Sequence, residues 1–92
     1  MAYSASVIYD TRVNSKAWSA YRVSVAEIAK PLRPLEKEGP VYNDTVYYRG
    51  VFSTLAEAVA ALSEYTGWTL VHRGFLPDGN PLIVPKMRRG RA

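Results

Sequence analysis

Apolar and polar positions recur with two different periods along this chain, and the changes of period mark its elements. From Thr54 to Thr66, Leu55, Val59 and Leu62 fall at helical spacing with Ala58, Ala61 and Tyr65 beside them, while Glu57, Ser63 and Glu64 hold the other side. This predicts a packing helix over 54–66. Thr54-Leu-Ala-Glu57 has the form of a capping box, in which hydroxyl and carboxylate satisfy the free N–H groups of the first turn. Gly67 suits the left-handed position that stops such a helix, which would bring Trp68 within reach of Leu62 or Ser63.

Elsewhere the period is two. Thr45 to Phe52 is rich in β-formers and follows the turn-like Asn43-Asp44, so it predicts a strand with Val46, Tyr48, Gly50 and Phe52 on one face and Tyr47, Arg49 and Val51 on the other. Trp68 to Leu76 and Pro81 to Lys86 are extended runs separated by Pro77-Asp-Gly-Asn80, a hairpin signature. Pro81 and Pro85 have no N–H to donate, which marks the last run as an edge strand or one bonded on a single side. Ser4 to Asp10 and Trp18 to Val25 alternate as strands joined across Thr11 to Lys16. The second also fits a helical stripe of Trp18, Tyr21, Val25 and Ile28, with Ser24-Val-Ala-Glu27 able to cap a short helix before Pro31; its alternation predicts a strand. Lys30 to Pro40, with three prolines and five charges, reads as a loop. The sum is one α+β domain over 1–85, an antiparallel sheet of about five strands with one long helix on one face, followed by a basic tail at 86–92.

Composition narrows the chemistry. A chain of 92 residues has room for a single modest core. It has no Cys and a single His, His72, so a disulfide framework, a thiolate cluster or an ordinary zinc site is not expected. The glycines at 50, 67, 74, 79 and 90 match neither a phosphate loop nor a dinucleotide fingerprint, so no cofactor is expected. Asp10, Asp44 and Asp78 stand near turns, where Asp bonds its own backbone, and pair for acid–base work only by tertiary coincidence. The expectation is a protein that is not an enzyme. The first ten residues lack a basic start and a long apolar run, which predicts no signal peptide, no membrane span and a cytoplasmic location.

Charge adds a partner. All eight acidic residues and eight of the twelve basic ones lie in 1–85, so Lys86, Arg88, Arg89 and Arg91 carry the whole formal charge of +4. Such a cluster attracts phosphate by releasing counterions, or it is an inert solubilising tail. Seven Tyr, two Trp and eight Arg supply the groups that dominate interface hot spots. If Val46, Tyr48 and Phe52 meet the helix, Tyr47 and Arg49 project together, to stack on a base and reach a phosphate or merely to cover sheet surface. The expected contact residues are Tyr47, Arg49, Arg73, Lys86, Arg88, Arg89 and Arg91, with Arg22 and Arg33 added, and the expected partner is RNA, DNA or a nucleoprotein complex. On Trp68 to Leu76 one parity gives Trp68, Leu70, His72 and Leu76 and the other Val71, Arg73 and Phe75, so both faces carry apolar groups. An uncovered sheet face would meet a second copy, making a homodimer, or another protein.

The order from Glu57 to Arg89, a helix, then Gly67-Trp68-Thr69-Leu70-Val71, a hairpin and Leu82-Ile-Val-Pro-Lys86 ending in Arg, resembles small bacterial domains of unknown function. The likeness covers about one third of the chain and implies shared packing around Trp68, Leu70 and Val71, with no catalytic residues. At the level of class, a short chain with no catalytic motif, an aromatic-rich surface and a basic end looks like phage or mobile-element inhibitors, anti-CRISPR proteins among them. That resemblance implies a binding inhibitor of a host ribonucleoprotein.

Overall fold

The computed structural model describes residues 1–38 and 44–88. The chain runs β1 (Ala2–Asp10), a single 3-10 turn (Trp18–Ala20), β2 (Tyr21–Ile28), β3 (Arg33–Lys37), β4 (Thr45–Phe52), α1 (Leu55–Thr66), β5 (Trp68–Phe75) and β6 (Pro81–Arg88). Strands order β2-β1-β4-β3 in a four-stranded sheet whose pairs are all antiparallel, and β5-β6 form a separate two-stranded hairpin. The fold is therefore α+β with two sheets.

This corrects the single sheet of about five strands. Two causes divide it. Pro81 and Pro85 cannot donate, so the outer edge of β6 is a poor template. On the other edge of the hairpin the Leu70 N–H donates to Ser63 Oγ on α1 at 3.0 Å, which ties β5 to the helix. A second correction is β3, in the stretch expected to be loop. Leu35 packs on the core and the Glu38 N–H donates to Tyr47 O at 2.7 Å, while the register shifts between Arg33 and Glu36 around donor-less Pro34. A short bulged edge strand full of charge has little signature of its own. Trp18 to Ala20 is helical for one turn only, and Tyr21 to Ile28 is strand, paired in unbroken register with β1 from Tyr21↔Tyr9 to Ile28↔Ala2. The expected Asn43 turn position and the segment from Arg89 to Ala92 lie outside the described residues.

The helix is capped as its sequence dictates. Thr54 Oγ1 accepts the Glu57 N–H at 3.1 Å, and the Glu57 carboxylate accepts the hydroxyls of Thr54 and Ser53, which hold its pKa below the usual value. Gly67 ends the helix at φ 76°, its N–H on Ser63 O at 3.0 Å. At the hairpin tip the Leu76 N–H bonds Asn80 O, the Gly79 N–H bonds Leu76 O, and Asp78 accepts the Asn80 N–H, the Asx turn expected there.

Helix and hairpin cover the same face of the four-stranded sheet. Ala5 and Val7 of β1, Val25 of β2, Ala58 and Leu62 of α1, Leu70 of β5 and Ile83 of β6 form one buried cluster, with Tyr48 and Phe52 packed against it. Gly50 lies at the crossing of β4 and β3: a Cβ there would sit 2.8 Å from the Leu35 nitrogen. Most aromatics are spent inside this layer. Tyr9 stacks on Tyr21 at 5.2 Å, Tyr21 meets Tyr65 edge-on at 6.2 Å, Tyr65 meets Tyr48 at 4.6 Å, and Trp18 meets Trp68 at 6.2 Å. The expected aromatic-rich surface is corrected accordingly.

Burial pushes the Tyr65 hydroxyl up to about 12, with the neighbouring Tyr48 adding to the effect. A pKa raised in the folded state stabilises below the unfolded value near 10 and is lost as pH rises toward 12. Stability should thus fall across that alkaline window, and Tyr65→Phe should flatten the fall; urea midpoints measured against pH for both proteins check this.

Candidate nucleic-acid interface

Register fixes what lies on the opposite face of the four-stranded sheet. Because Tyr48 and Phe52 face the helix, strand alternation turns Thr45, Tyr47, Arg49 and Val51 away from it, as the sequence predicts. On β1 the outward positions are Ala2, Ser4, Ser6, Ile8 and Asp10. Cross-strand pairing then lays out rows. Arg22, Ile8 and Tyr47 form one row across β2, β1 and β4; Ser24, Ser6, Arg49 and Glu36 form the next; Ala26, Ser4, Val51 and Arg33 the third. Ile8 is 39% exposed and Arg22 and Ser24 are exposed, so this face is open to solvent there.

The far end of the face is covered. β2 and β3 are the two edges of the sheet, so the connection through Ala29, Lys30, Pro31 and Leu32 crosses it, lining hollows with Ala2, Ile28, Arg49 and Val51. That explains why Ala2, Ser4 and Val51 are buried although they point away from the helix.

Polar contacts organise both the covered and the open part. Arg49 Nε donates to Ser4 Oγ at 3.2 Å, and Ser6 and Ser24 share a hydrogen bond of 2.6 Å between their hydroxyls. Arg33 donates to Glu38 at 2.7 Å and stands 3.8 Å from Glu36. The Glu38 pKa is lowered chiefly by that bond to Arg33, with the charges of Arg49 and Lys30 adding to it. At the edge near Ile8, Asp10 accepts the Arg12 backbone N–H and guanidinium, and Asp44 lies 3.9 Å from the same guanidinium. These carboxylates are engaged by Arg12, and the Arg12 hydrogen bonds lower the pKa of Asp10.

Of the expected contact residues, Arg22, Tyr47, Arg49 and Arg33 share this face. The others do not. Arg73 and Lys86 sit on the hairpin at its two irregularities: Lys86 is the extra residue between Thr69↔Met87 and Leu70↔Pro85, and Arg73 with Gly74 (φ 70°) stands opposite Leu82. The bulge at Arg73 and Gly74 breaks simple parity, which brings His72 and Phe75 into edge-on contact at 5.0 Å and corrects their assignment to opposite faces. β6 runs on to Arg88, so Lys86, Met87 and Arg88 are strand residues, and the charge of Arg88 reaches Tyr21 beside Arg22. Arg89 and Arg91 lie outside the described residues.

Sequence reading missed Ser4, Ser6, Ile8, Ser24, Lys30 and Glu38. The alternation of Ser4 and Ser6 against Tyr3, Ala5 and Val7 was the available signal, since it marks a face of small polar groups, though it says nothing of Ile8 on the same face. Among the described residues no three His, Cys, Asp or Glu side chains come together as a metal site, and no helix is long and apolar enough to cross a membrane. No family model, curated protein or solved structure matches the chain.

Proposed function

We propose that this chain is a binding protein without catalysis whose open sheet face docks on a nucleic-acid strand, free or within a ribonucleoprotein. One observation carries the reading: Arg22, Tyr47 and Arg49 stand on one face that neither helix nor hairpin covers, with Ile8 between Arg22 and Tyr47 and the Ser6 and Ser24 hydroxyls in the row of Arg49. Strand spacing places Arg22 about 10 Å from Tyr47, and Tyr47 about 7 Å from Arg49. An aromatic ring flanked by two guanidiniums takes a stacked base with phosphates on either side. The small serines of the adjacent row leave the strand room to lie close beside Arg49.

The test is a titration of fluorescent single-stranded RNA and DNA homopolymers at several salt concentrations. Binding should weaken with salt, and Arg49→Gln should reduce the log–log slope by about 0.7 for the loss of one phosphate contact. Absence of binding at low salt to either strand would defeat the reading. The contribution of the basic end is tested with Lys86→Gln and Arg88→Gln, because truncation from Lys86 would remove strand residues that pair with Trp68 and Thr69. The likeness to phage inhibitors makes a host RNA-guided complex the first assembly to try, by affinity capture with and without nuclease.

A second reading, self-association, is favoured by the apolar side chains of the hairpin rather than by the sheet face: Phe75 is 67% and Met87 59% exposed. Sedimentation would then show a dimer that Phe75→Ser abolishes.

A further inference from the structure

The hollow under the β2–β3 connection, about 330 Å³, is lined by Lys30, Pro31, Arg33, Glu38, Arg49 and Val51. Three cations and one carboxylate line it, and a second carboxylate, Glu36, reaches Arg33 at 3.8 Å from the neighbouring row position opposite Arg49. Arg33 spends part of its guanidinium on Glu38, at 2.7 Å, and Arg49 is aimed by its Nε bond to Ser4. Arg49 and Lys30 are both close enough to Glu38 for their charges to act on it, and Tyr47 lies within electrostatic reach of Arg33. Arg49 therefore belongs both to the hollow and to the open row of Ser24, Ser6 and Arg49. With a water taking about 30 Å³, the space admits a tetrahedral oxyanion together with part of its hydration.

We infer that this hollow is a phosphate subsite in which the Glu38 carboxylate occupies the place of a ligand phosphate and competes with it. The physical reason is substitution of one anion for another on a shared set of donors. Glu38 accepts from Arg33 through its Oε2, whereas a phosphate offers oxygens to Arg33, Arg49 and Lys30 together, the forked donors of arginine matching such a group. The carboxylate keeps the cationic cluster satisfied in the free protein and makes binding selective for a ligand able to displace it. This rests on the nucleic-acid reading for the source of the phosphate, a strand running from Tyr47 toward the connection, but the subsite itself depends only on its own side chains.

The experiment uses the full chain with two probes, inorganic phosphate followed through the Arg49 Nε–H resonance, and a fluorescent single-stranded homopolymer. Glu38→Gln should bind phosphate about three- to tenfold more tightly than the native chain, whereas Glu64→Gln, the same charge change on the exposed side of α1, should bind as the native chain does. Arg33→Gln and Lys30→Gln should weaken phosphate binding, with thermal melts of each variant establishing that the fold is kept. Equal tightening by Glu38→Gln and Glu64→Gln would reduce the effect to net charge and overturn the inference, as would the absence of any phosphate response at Arg49 in both native chain and Glu38→Gln. Failure of the subsite with homopolymer binding intact leaves the sheet-face reading standing; phosphate binding without homopolymer binding removes that reading and keeps the subsite.

Discussion

Leu62→Ala is expected to cost roughly 2–5 kcal/mol, a large share of the roughly 5–15 kcal/mol that holds a domain of this kind together. Leu62 is fully buried where α1 meets Ala5, Val7 and Val25 of the sheet and Leu70 and Ile83 of the hairpin. It belongs to the buried cluster to which sheet, helix and hairpin all contribute, so the cavity left by truncation opens between layers. Backbone hydrogen bonds that hold β1, β2 and β4 in place limit how far those layers can close on it. Leu32→Ala provides the contrast: at 60% exposure on the β2–β3 connection it should change stability by about 0.5 kcal/mol or less. Urea unfolding of both variants measures the difference, with the midpoint falling sharply for Leu62→Ala and the slope unchanged.

The second large effect is on binding. Tyr47→Ala combined with Arg49→Gln should weaken homopolymer binding by about thirtyfold to a thousandfold, from a stacked base worth roughly 1–3 kcal/mol and one charge-assisted phosphate contact. Both side chains point away from the core, so the melting temperature should move little. Arg49 does donate to Ser4, and Arg49→Lys separates that positioning bond from the charge. Arg22→Gln acts two strands away and should add nearly independently to the pair. Anisotropy titrations of the single, double and triple variants at one salt concentration give these numbers.

Local physics wrote the parts that were legible in the sequence. The helix is announced by its stripe of Leu55, Val59 and Leu62 and closed by Thr54 and Gly67, whose roles need no distant residue. The hairpin tip is likewise local, built from Asp78 and Gly79. The alternation in β4 was enough to send Tyr47 and Arg49 to the same outward face once Tyr48 and Phe52 were assigned to the core. What was not legible depends on pairing across distance. β3 exists because Leu35 finds the core and Glu38 finds Tyr47, neither of which its neighbours reveal. The same pairing places Arg33 and Arg49 together although they are far apart in the chain. Bulges at Lys86 and at Arg73 with Gly74 undo any parity count along the hairpin. Aromatic composition misled for a related reason: tyrosine and tryptophan suit interfaces and cores alike, and Tyr9, Tyr21, Tyr65, Trp18 and Trp68 went to the junction of sheet, helix and hairpin.

Amide chemical-shift mapping with an unlabelled single-stranded oligonucleotide bears most directly on the proposal that the uncovered sheet face is the binding surface. It should shift Ile8, Arg22, Ser24, Tyr47 and Arg49 while leaving the exposed side of α1, around Ala60 and Glu64, unchanged. Shifts confined to α1 and the hairpin, with the Tyr47 and Arg49 resonances still, would contradict it.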